Sequence, residues 1–366
     1  MHPYRSQPDR AFWNRCVSNK PWLQVEFESG PRKLIGPGTK LATAGSCFAS
    51  NLLRFLPGLG VTAFFTETAP SYFTAEEAKA HGYREFAARY GNVYTVAQLR
   101  QLVEQALGLR EPIEAFAEAN GAVFDLLRPH VRPGGFQSLA EARADRLYHL
   151  DCVKRLLLEC EVFVFTLGLT EAWIDAPTGT VFPVCPGTAA GEFDPLRHQP
   201  INFDYPSIAA DLNWVVDTVR AVNPRLAWIF TVSPVHLVAT HTQHSVIVAS
   251  TYSKSVLRAV CGDVERGHPN VSYFPSFEIF ASAQSFGQYL GANLRDSADR
   301  GVSHVIALFE RIFVDHGDAP PAAAAAPAIA SGSTFFAAVE KAMNSECDEL
   351  CNEVISQPVG LWVGPA

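Results

Sequence analysis

A serine stands where a short apolar run gives way to a helical pattern, and its surroundings suit acyl-transfer chemistry. In Leu41-Ala-Thr-Ala-Gly45-Ser46-Cys47-Phe48-Ala49-Ser50-Asn51 the small residues end at Gly45, and Leu52, Leu53, Phe55 and Leu56 follow at once. Glycine permits a sharp turn because it lacks a Cβ. A hydroxyl delivered there meets unpaired backbone N–H groups and the positive end of a helix dipole, which favour a developing oxyanion. Two roles are open to Ser46 on this local pattern: nucleophile, with the N–H groups of Ser46 and Cys47 as oxyanion donors, or N-cap of the helix.

A serine nucleophile needs a base within hydrogen-bond reach. Three histidines, His236, His241 and His244, fall in one stretch beyond the apolar run Leu226–Ser233, and each is open to a reading as an ordinary loop histidine. Glu171 and Trp173 follow another apolar run, Val162–Leu167. They read as a carboxylate able to orient or replace a base and an aromatic wall for a sugar or acyl group, or as a solvated acid and a packed ring. Lys254 and Arg258 lie four apart on one helix face, as anion ligands or as solvated charges.

Positioning such groups together requires a sheet edge. The runs 40–44, Thr62–Glu67, Val162–Gly168, Leu226–Ser233 and Val271–Phe277 read as strands, and the nearly continuous apolar ones as strands covered on both faces. Between them lie helical patterns at Ala49–Leu56, Ser207–Val222, Tyr252–Val260 and residues 302–312. Strand alternating with helix implies an α/β fold, a mostly parallel sheet between helical layers. Ligands bind beyond the carboxyl ends of such strands. Ser46, Gly168 and His236 each follow a predicted strand and so share one edge.

Residues 76–160 change character, with helical spacing over Val96–Leu107 and Ala140–Leu158, and read as an inserted helical region that covers or shapes a site. Residues 169–204 read as a long loop. The expected organisation is an arm over 1–34, the α/β domain over 35–315, an Ala/Pro-rich linker over 316–332 and a helix with tail over 333–366. That last helix can dock on the domain or join two copies of the chain.

Composition narrows the class. With 366 residues, 48% of them hydrophobic and 18% charged, the chain can bury a large core and is not disordered. A net charge of −8 gives no basic footprint for nucleic acid or an anionic membrane. No apolar run approaches the ~18 residues of a membrane span, and the amino terminus lacks a charged-then-apolar leader. The eight cysteines have no paired spacing and read as reduced core residues of a cytoplasmic protein. Cys347 and Cys351 lie four apart without partner ligands, so neither a metal nor another cofactor is expected.

The segment Gly45-Ser-Cys-Phe-Ala49 resembles the signature of the GSCFA family, which is similar to the SGNH (GDSL-type) hydrolases. Tyr90-Gly-Asn-Val-Tyr94, Thr166-Leu-Gly-Leu-Thr-Glu-Ala-Trp173, Cys185-Pro-Gly187, Thr231-Val-Ser-Pro-Val235, Tyr252-Ser-Lys-Ser-Val-Leu-Arg258 and Tyr273-Phe-Pro-Ser-Phe-Glu278 carry the resemblance further. It implies a flavodoxin-like three-layer sandwich with Ser46 as nucleophile and no cofactor. Gly168 resembles the glycine of the superfamily's Gly-x-Asn-Asp block, with Thr170 in place of its oxyanion-donating asparagine. Gly91 and Asn92 are the candidates to supply the missing donor. The superfamily's late Asp-x-x-His block corresponds to Asn293-Leu-Arg-Asp296, which lacks the histidine. His304 lies off its helix's apolar stripe and reads as solvated. His244 matches a histidine of this branch, and His236 lies closer to its strand. The implied activity is a serine esterase or O-acyltransferase on an acylated glycan or similar small ester. The alternative is a catalytically degenerate protein of this fold that binds a glycan or protein partner.

Overall fold

Four apolar runs pair side by side to make the central sheet. β1 (Leu41–Gly45), β4 (Val162–Leu167), β8 (Ala227–Val232) and β9 (Val271–Phe274) lie in the order β1-β4-β8-β9, every pair parallel. The structure, a computed structural model, describes residues 2–317 except 28, 29, 47, 48, 50, 51 and 54. The predicted linker and helix beyond residue 317 lie outside the described residues, as do residues 50, 51 and 54 of the predicted helix over 49–56.

Alternation along the strands divides the core in two. Ala42, Ala44, Phe163, Phe165, Leu167, Trp228, Phe230 and Val232 face one helical layer. That layer is built from α2 (Val96–Ala106), α3 (Leu139–Glu159), α4 (Tyr205–Val222) and α5 (Val246–Gly267). Leu41, Val162, Val164, Ile229 and Phe274 face the other, covered by α6 (Ser276–Ala281) and α7 (Asp299–Phe313). A further helix, α1 (Ala75–Ala80), is short and wholly at the surface. The fold is therefore α/β with a parallel sheet between helical layers. Local chemistry sets the helix starts: Thr95 and Gln98 form a capping box at α2, Ser138 caps α3, and Asp204 caps α4.

Several predicted elements take another form. Thr62–Glu67 is not a strand; Ala63 makes a single bridge to Leu41, and Phe64 N–H donates to Leu41 O at 2.7 Å. Glu67 is buried in a cluster of charges described below, and the chain leaves the sheet to reach it. The stretch 169–204 is not a loop but a three-stranded antiparallel sheet in the order β6-β5-β7, formed by β5 (Glu171–Asp175), β6 (Thr180–Phe182) and β7 (His198–Asn202). Between α2 and α3 lies a hairpin of β2 (Phe116–Ala119) and β3 (Ala122–Asp125). Its turn residues Asn120 and Gly121 have φ of 51° and 77°, the signature of an Asn-Gly type I′ turn. Leu147, expected on the apolar stripe of α3, is exposed, and Arg146 and His149 are buried instead.

Among the described residues no helix is long and apolar enough to cross a membrane. Cys16, Cys152, Cys160, Cys185 and Cys261 are free thiols.

β1 closes against β4 at Gly45, which pairs with Thr166 at a φ of 132°. A Cβ there would press on the Thr166 carbonyl oxygen and lie 2.7 Å from its nitrogen. Both the dihedral and the clash penalise a side chain, so Gly45→Ala is expected to cost roughly 2–5 kcal/mol. A urea unfolding curve reads this as a lower midpoint at unchanged slope, and an unchanged midpoint would refute it.

Candidate active site

Ser46 is the first residue beyond β1, and its Cβ lies 3.4 Å from the point that a Cβ of Gly168 would occupy. Gly168 occupies the matching place beyond β4. The same point lies 3.1 Å from the Tyr94 carbonyl oxygen, so Ser46, Gly168 and Tyr94 converge on one spot at the carboxyl edge of the sheet. Segment 91–94 is fastened over that edge. Val93 N–H donates to Gly45 O at 2.8 Å, and Gly91 makes the turn at a φ of 67°. Thus the structure brings Gly91 and Asn92 to the serine's end of β1, although they are 45 residues away in the sequence.

The fastening consumes donors. Gly168 N–H and Leu169 N–H both donate to Tyr94 O, at 3.0 and 2.9 Å, and Ser46 N–H donates to Thr166 O at 3.2 Å. None of the three points at a reacting oxyanion here. Asn92 has a buried side-chain oxygen with no hydrogen-bond partner among the described residues. Thr170 is sealed: its N–H donates to Ser253 Oγ at 3.0 Å, its carbonyl accepts from Phe203 N–H at 2.9 Å, and its hydroxyl is buried without a partner among the described residues. Cys47 lies outside the described residues. Ser46 is 4% exposed, and its Oγ makes no hydrogen bond among the described residues.

The expected bases fall in different places. His236 is half-buried, and its carbonyl accepts from Arg295 Nε at 3.2 Å. Burial first, then the charges of Lys254 and Arg295, lower its pKa and keep the imidazole neutral. His244 is exposed on the loop before α5, with its N–H 3.4 Å from Thr242 Oγ1. Glu171 is no free carboxylate: one oxygen accepts from Thr240 Oγ1 at 2.7 Å and the other from His241 N–H at 3.0 Å, closing that loop onto β5. Trp173 meets the rings of Phe193 and His241 edge-on at 5.5 and 5.6 Å, forming a part-exposed aromatic cluster beside it.

Two expectations are corrected. His304 is not solvated; it is half-buried in the opposite helical layer, bonded to Tyr289 Oη, with its pKa lowered by burial and by Arg311. Lys254 and Arg258 do not form an exposed basic face. Lys254 is 1% exposed and donates from Nζ to Gly168 O at 2.7 Å. Arg258 pairs with Glu278 at 2.5 Å and lies 3.9 Å over the Tyr273 ring. Within the Asn293–Asp296 segment, Asn293 Oδ1 accepts from Asp296 N–H at 3.0 Å, and Arg295 pairs with Asp296 at 3.3 Å.

The sequence reading missed a buried ionic network beside the 91–94 loop. Glu67 accepts from Arg89 N–H at 2.8 Å and from His149 Nδ1 at 2.7 Å. Arg89 and Arg128 share Asp145, at 3.2 and 2.7 Å. Arg128 and Arg146 both hold Asp125, the Arg146 contact being bidentate. A signal existed: Arg146 and His149 occupy apolar-face positions of α3 alongside Leu150 and Val153. Beside the network runs a cleft of about 590 Å³ whose lining includes Tyr90, Gly91, Asn92, Tyr94, Arg128 and His130. Among the described residues no group of three or more His, Cys, Asp or Glu side chains could hold a metal ion.

Together these features define an α/β protein with a serine, a close-packed glycine and a fastened loop at the carboxyl edge of a parallel sheet. The chain matches the GSCFA family over residues 40–309, and it belongs to that family. A search of curated proteins returned no match. One solved structure, a Corynascus thermopiles (Myceliophthora fergusii) carbohydrate esterase family 2 enzyme plus carbohydrate binding domain, aligns with 78% of this chain and 67% of its own. Identity there is 13% and the TM-score 0.25, values that carry no argument about this chain.

Burial opposes ionisation of Glu67, but the His149 imidazole bonded to it, the Arg128 charge and the Arg89 N–H overcome it and bring its pKa from an ordinary 4.5 down to about 2. The unfolded chain therefore binds this proton at a higher pH than the folded one. Stability from Glu67 is complete above pH 4.5 and is lost as pH falls towards 2. Glu67→Gln is expected to cost about 3–5 kcal/mol at neutral pH and to flatten the acid limb of stability against pH. Denaturant titrations from pH 7 to 3 test this, and an unchanged acid limb would count against it.

Proposed function

We propose that the protein is a serine esterase or O-acyltransferase with Ser46 as nucleophile, acting on an acylated glycan or a similar small ester. The observation that carries this reading is the packing of Ser46 against Gly168 at the carboxyl edge of the sheet, beneath the loop holding Asn92. Ser46 Oγ attacks the acyl carbonyl, a base takes the hydroxyl proton, and the leaving alkoxide receives it as the ester C–O bond breaks. Water or a sugar hydroxyl then takes the acyl group. The hydroxyl is covered in the resting arrangement, so substrate must displace its cover.

With the Gly168 and Leu169 N–H groups committed to Tyr94 O, the Asn92 amide is a donor available among the described residues for the tetrahedral oxygen, beside the Cys47 N–H expected from the sequence. Three side chains are candidates for the base: the His236 imidazole, the Lys254 amine beside it and the exposed His244. Glu171 acts through the 240–242 loop, which it holds against β5. Trp173, with Phe193 and His241, offers an aromatic surface suited to a sugar ring. The glycan itself comes from the likeness of this family to the SGNH hydrolases.

A binding protein on the same fold is the competing reading. It is favoured by the absence, among the described residues, of any imidazole bonded to Ser46 Oγ. A fluorophosphonate probe separates the two. Labelling of the native protein that vanishes in Ser46→Ala supports the enzyme, and folded protein that takes up no probe supports the binding reading. Asn92→Ala is expected to slow labelling about 10²–10³-fold, the usual effect of removing one oxyanion donor; an unchanged rate would remove Asn92 from the site.

A further inference from the structure

A lysine is almost never fully buried unless something holds its amine. Lys254 is 1% exposed, on a buried stripe of α5 that continues through Leu257, Val260, Cys261 and Val264. Those apolar residues belong to the core layer that receives Ala42, Ala44, Phe165 and Leu167 from β1 and β4. The Lys254 stem follows the same side of the sheet and brings Nζ to the carboxyl end of β4, 2.7 Å from Gly168 O. Gly168 is also the residue against which Ser46 Cβ packs. Hydroxyl and amine therefore abut one residue, from chain segments more than 200 positions apart.

We propose that the Lys254 amine is the proton acceptor for Ser46, so that a serine–lysine pair does the work expected of a serine–histidine pair. The proposal rests on Ser46 as nucleophile. In the neutral state Nζ donates one N–H to Gly168 O and keeps its lone pair. As Ser46 Oγ bonds to the acyl carbon, that lone pair takes the hydroxyl proton and the carbonyl π pair moves onto oxygen. The ammonium then protonates the departing alkoxide as the C–O bond breaks. In the second half the amine takes a proton from water or from an acceptor hydroxyl as its oxygen attacks the acyl carbon. Ser46 leaves and recovers that proton from Nζ. Gly168 O can accept an N–H in either protonation state, so the tether holds through the cycle. Burial disfavours the charged form of an amine, which is the property that suits lysine to this task. Catalytic hydrogen bonds often tighten only when substrate binds, so the unbonded Oγ of the resting state is compatible with the pairing.

The other candidates stand less well. His244 is exposed, both Glu171 oxygens are spent on the 240–242 loop, and His304 belongs to the opposite layer. His236 is the closest rival, since it lies near enough to Lys254 for the ammonium form to lower its pKa.

Fluorophosphonate labelling rates of the full chain and its variants decide between them, with folding monitored by thermal melting. Lys254→Ala and Lys254→Arg are both expected to lose about 10²–10⁴-fold, because arginine keeps the charge and the donor but accepts no proton. Added ethylamine is expected to restore Lys254→Ala at least about tenfold and to leave Lys254→Arg unchanged, while His236→Ala is expected to lose at least about tenfold less than Lys254→Ala. Lys254→Met preserves the stem's packing should the alanine variant fail to fold. Labelling of Lys254→Arg near the native rate, or a loss in His236→Ala matching that of an amine-insensitive Lys254→Ala, would overturn the proposal. Labelling that survives in Ser46→Ala, or is absent in the native protein, instead removes the nucleophile and the proposal with it.

Discussion

The edge of β1 meets β4 at a point where no side chain fits. Gly45 pairs with Thr166 at a dihedral that L-residues avoid, with the β4 backbone in the space a Cβ would need. The next residue is thereby brought against Gly168, and its own side chain has nowhere to go but the crevice between the two strand ends. The 91–94 loop then lies flat enough on that edge for Val93 to reach Gly45 O and for Tyr94 O to collect two N–H groups from the start of the β4–β5 connection. Each contact follows from the close approach of the two strands. A bulkier residue at either glycine would lift the loop and disperse the groups that converge on Ser46.

Something must hold that loop down from the other side, and an ionic cluster joins the apolar packing of Phe86, Tyr90 and Val93 in doing so. Glu67, Asp125 and Asp145 face Arg89, Arg128 and Arg146, three charges of each sign, with His149 bonded to Glu67 and its pKa lowered by burial and the nearby arginines. Burying such a set gains little net stability over an apolar core, because desolvation consumes most of the Coulomb gain. It does fix orientation. Arg89 and Tyr90 enter the loop directly, the first donating to Glu67 and to the Val131 carbonyl, the second to Thr43 O on β1. The segment between α1 and α2 has almost no regular structure, and these polar ties replace the ladder it lacks.

Much of this was legible in the sequence, and the reasons for the rest are physical. Val162–Leu167 and Ala227–Val232 read correctly because strands covered on both faces are continuous apolar runs. Ser207–Val222 read correctly because one face of it alone is buried. The small antiparallel sheet was missed because its strands are short and mixed. His198-Gln-Pro-Ile-Asn202 has no alternation to detect, and only its pairing with β5 makes it a strand. The hairpin after α2 was announced by Asn120-Gly121, a signal outweighed by the helical composition around it. Thr62–Glu67 has strand propensity but ends in an acid whose partners lie off the sheet, and tertiary pairing prevailed. The convergence of Ser46 with Gly168 was foreseeable from topology. The role of Tyr94 was not, since a backbone carbonyl carries no mark in the sequence.

Lys254 shows why a site is hardest to read where a local rule is broken. By periodicity it belongs to the buried stripe of α5, and by residue type it belongs in water; the sequence reading followed residue type and left it on the surface. A methionine would fill the same space without desolvating an amine, so nothing about packing favours the lysine there. Its bond to Gly168 O is one that a hydroxyl or amide could equally supply. Ser253 beside it is spent on the Thr170 N–H, fixing the register between α5 and the β4–β5 connection, so the helix is already anchored without the charge. A buried amine that costs desolvation and ends at the carbonyl beside the candidate nucleophile is the arrangement that the proposed proton transfer requires.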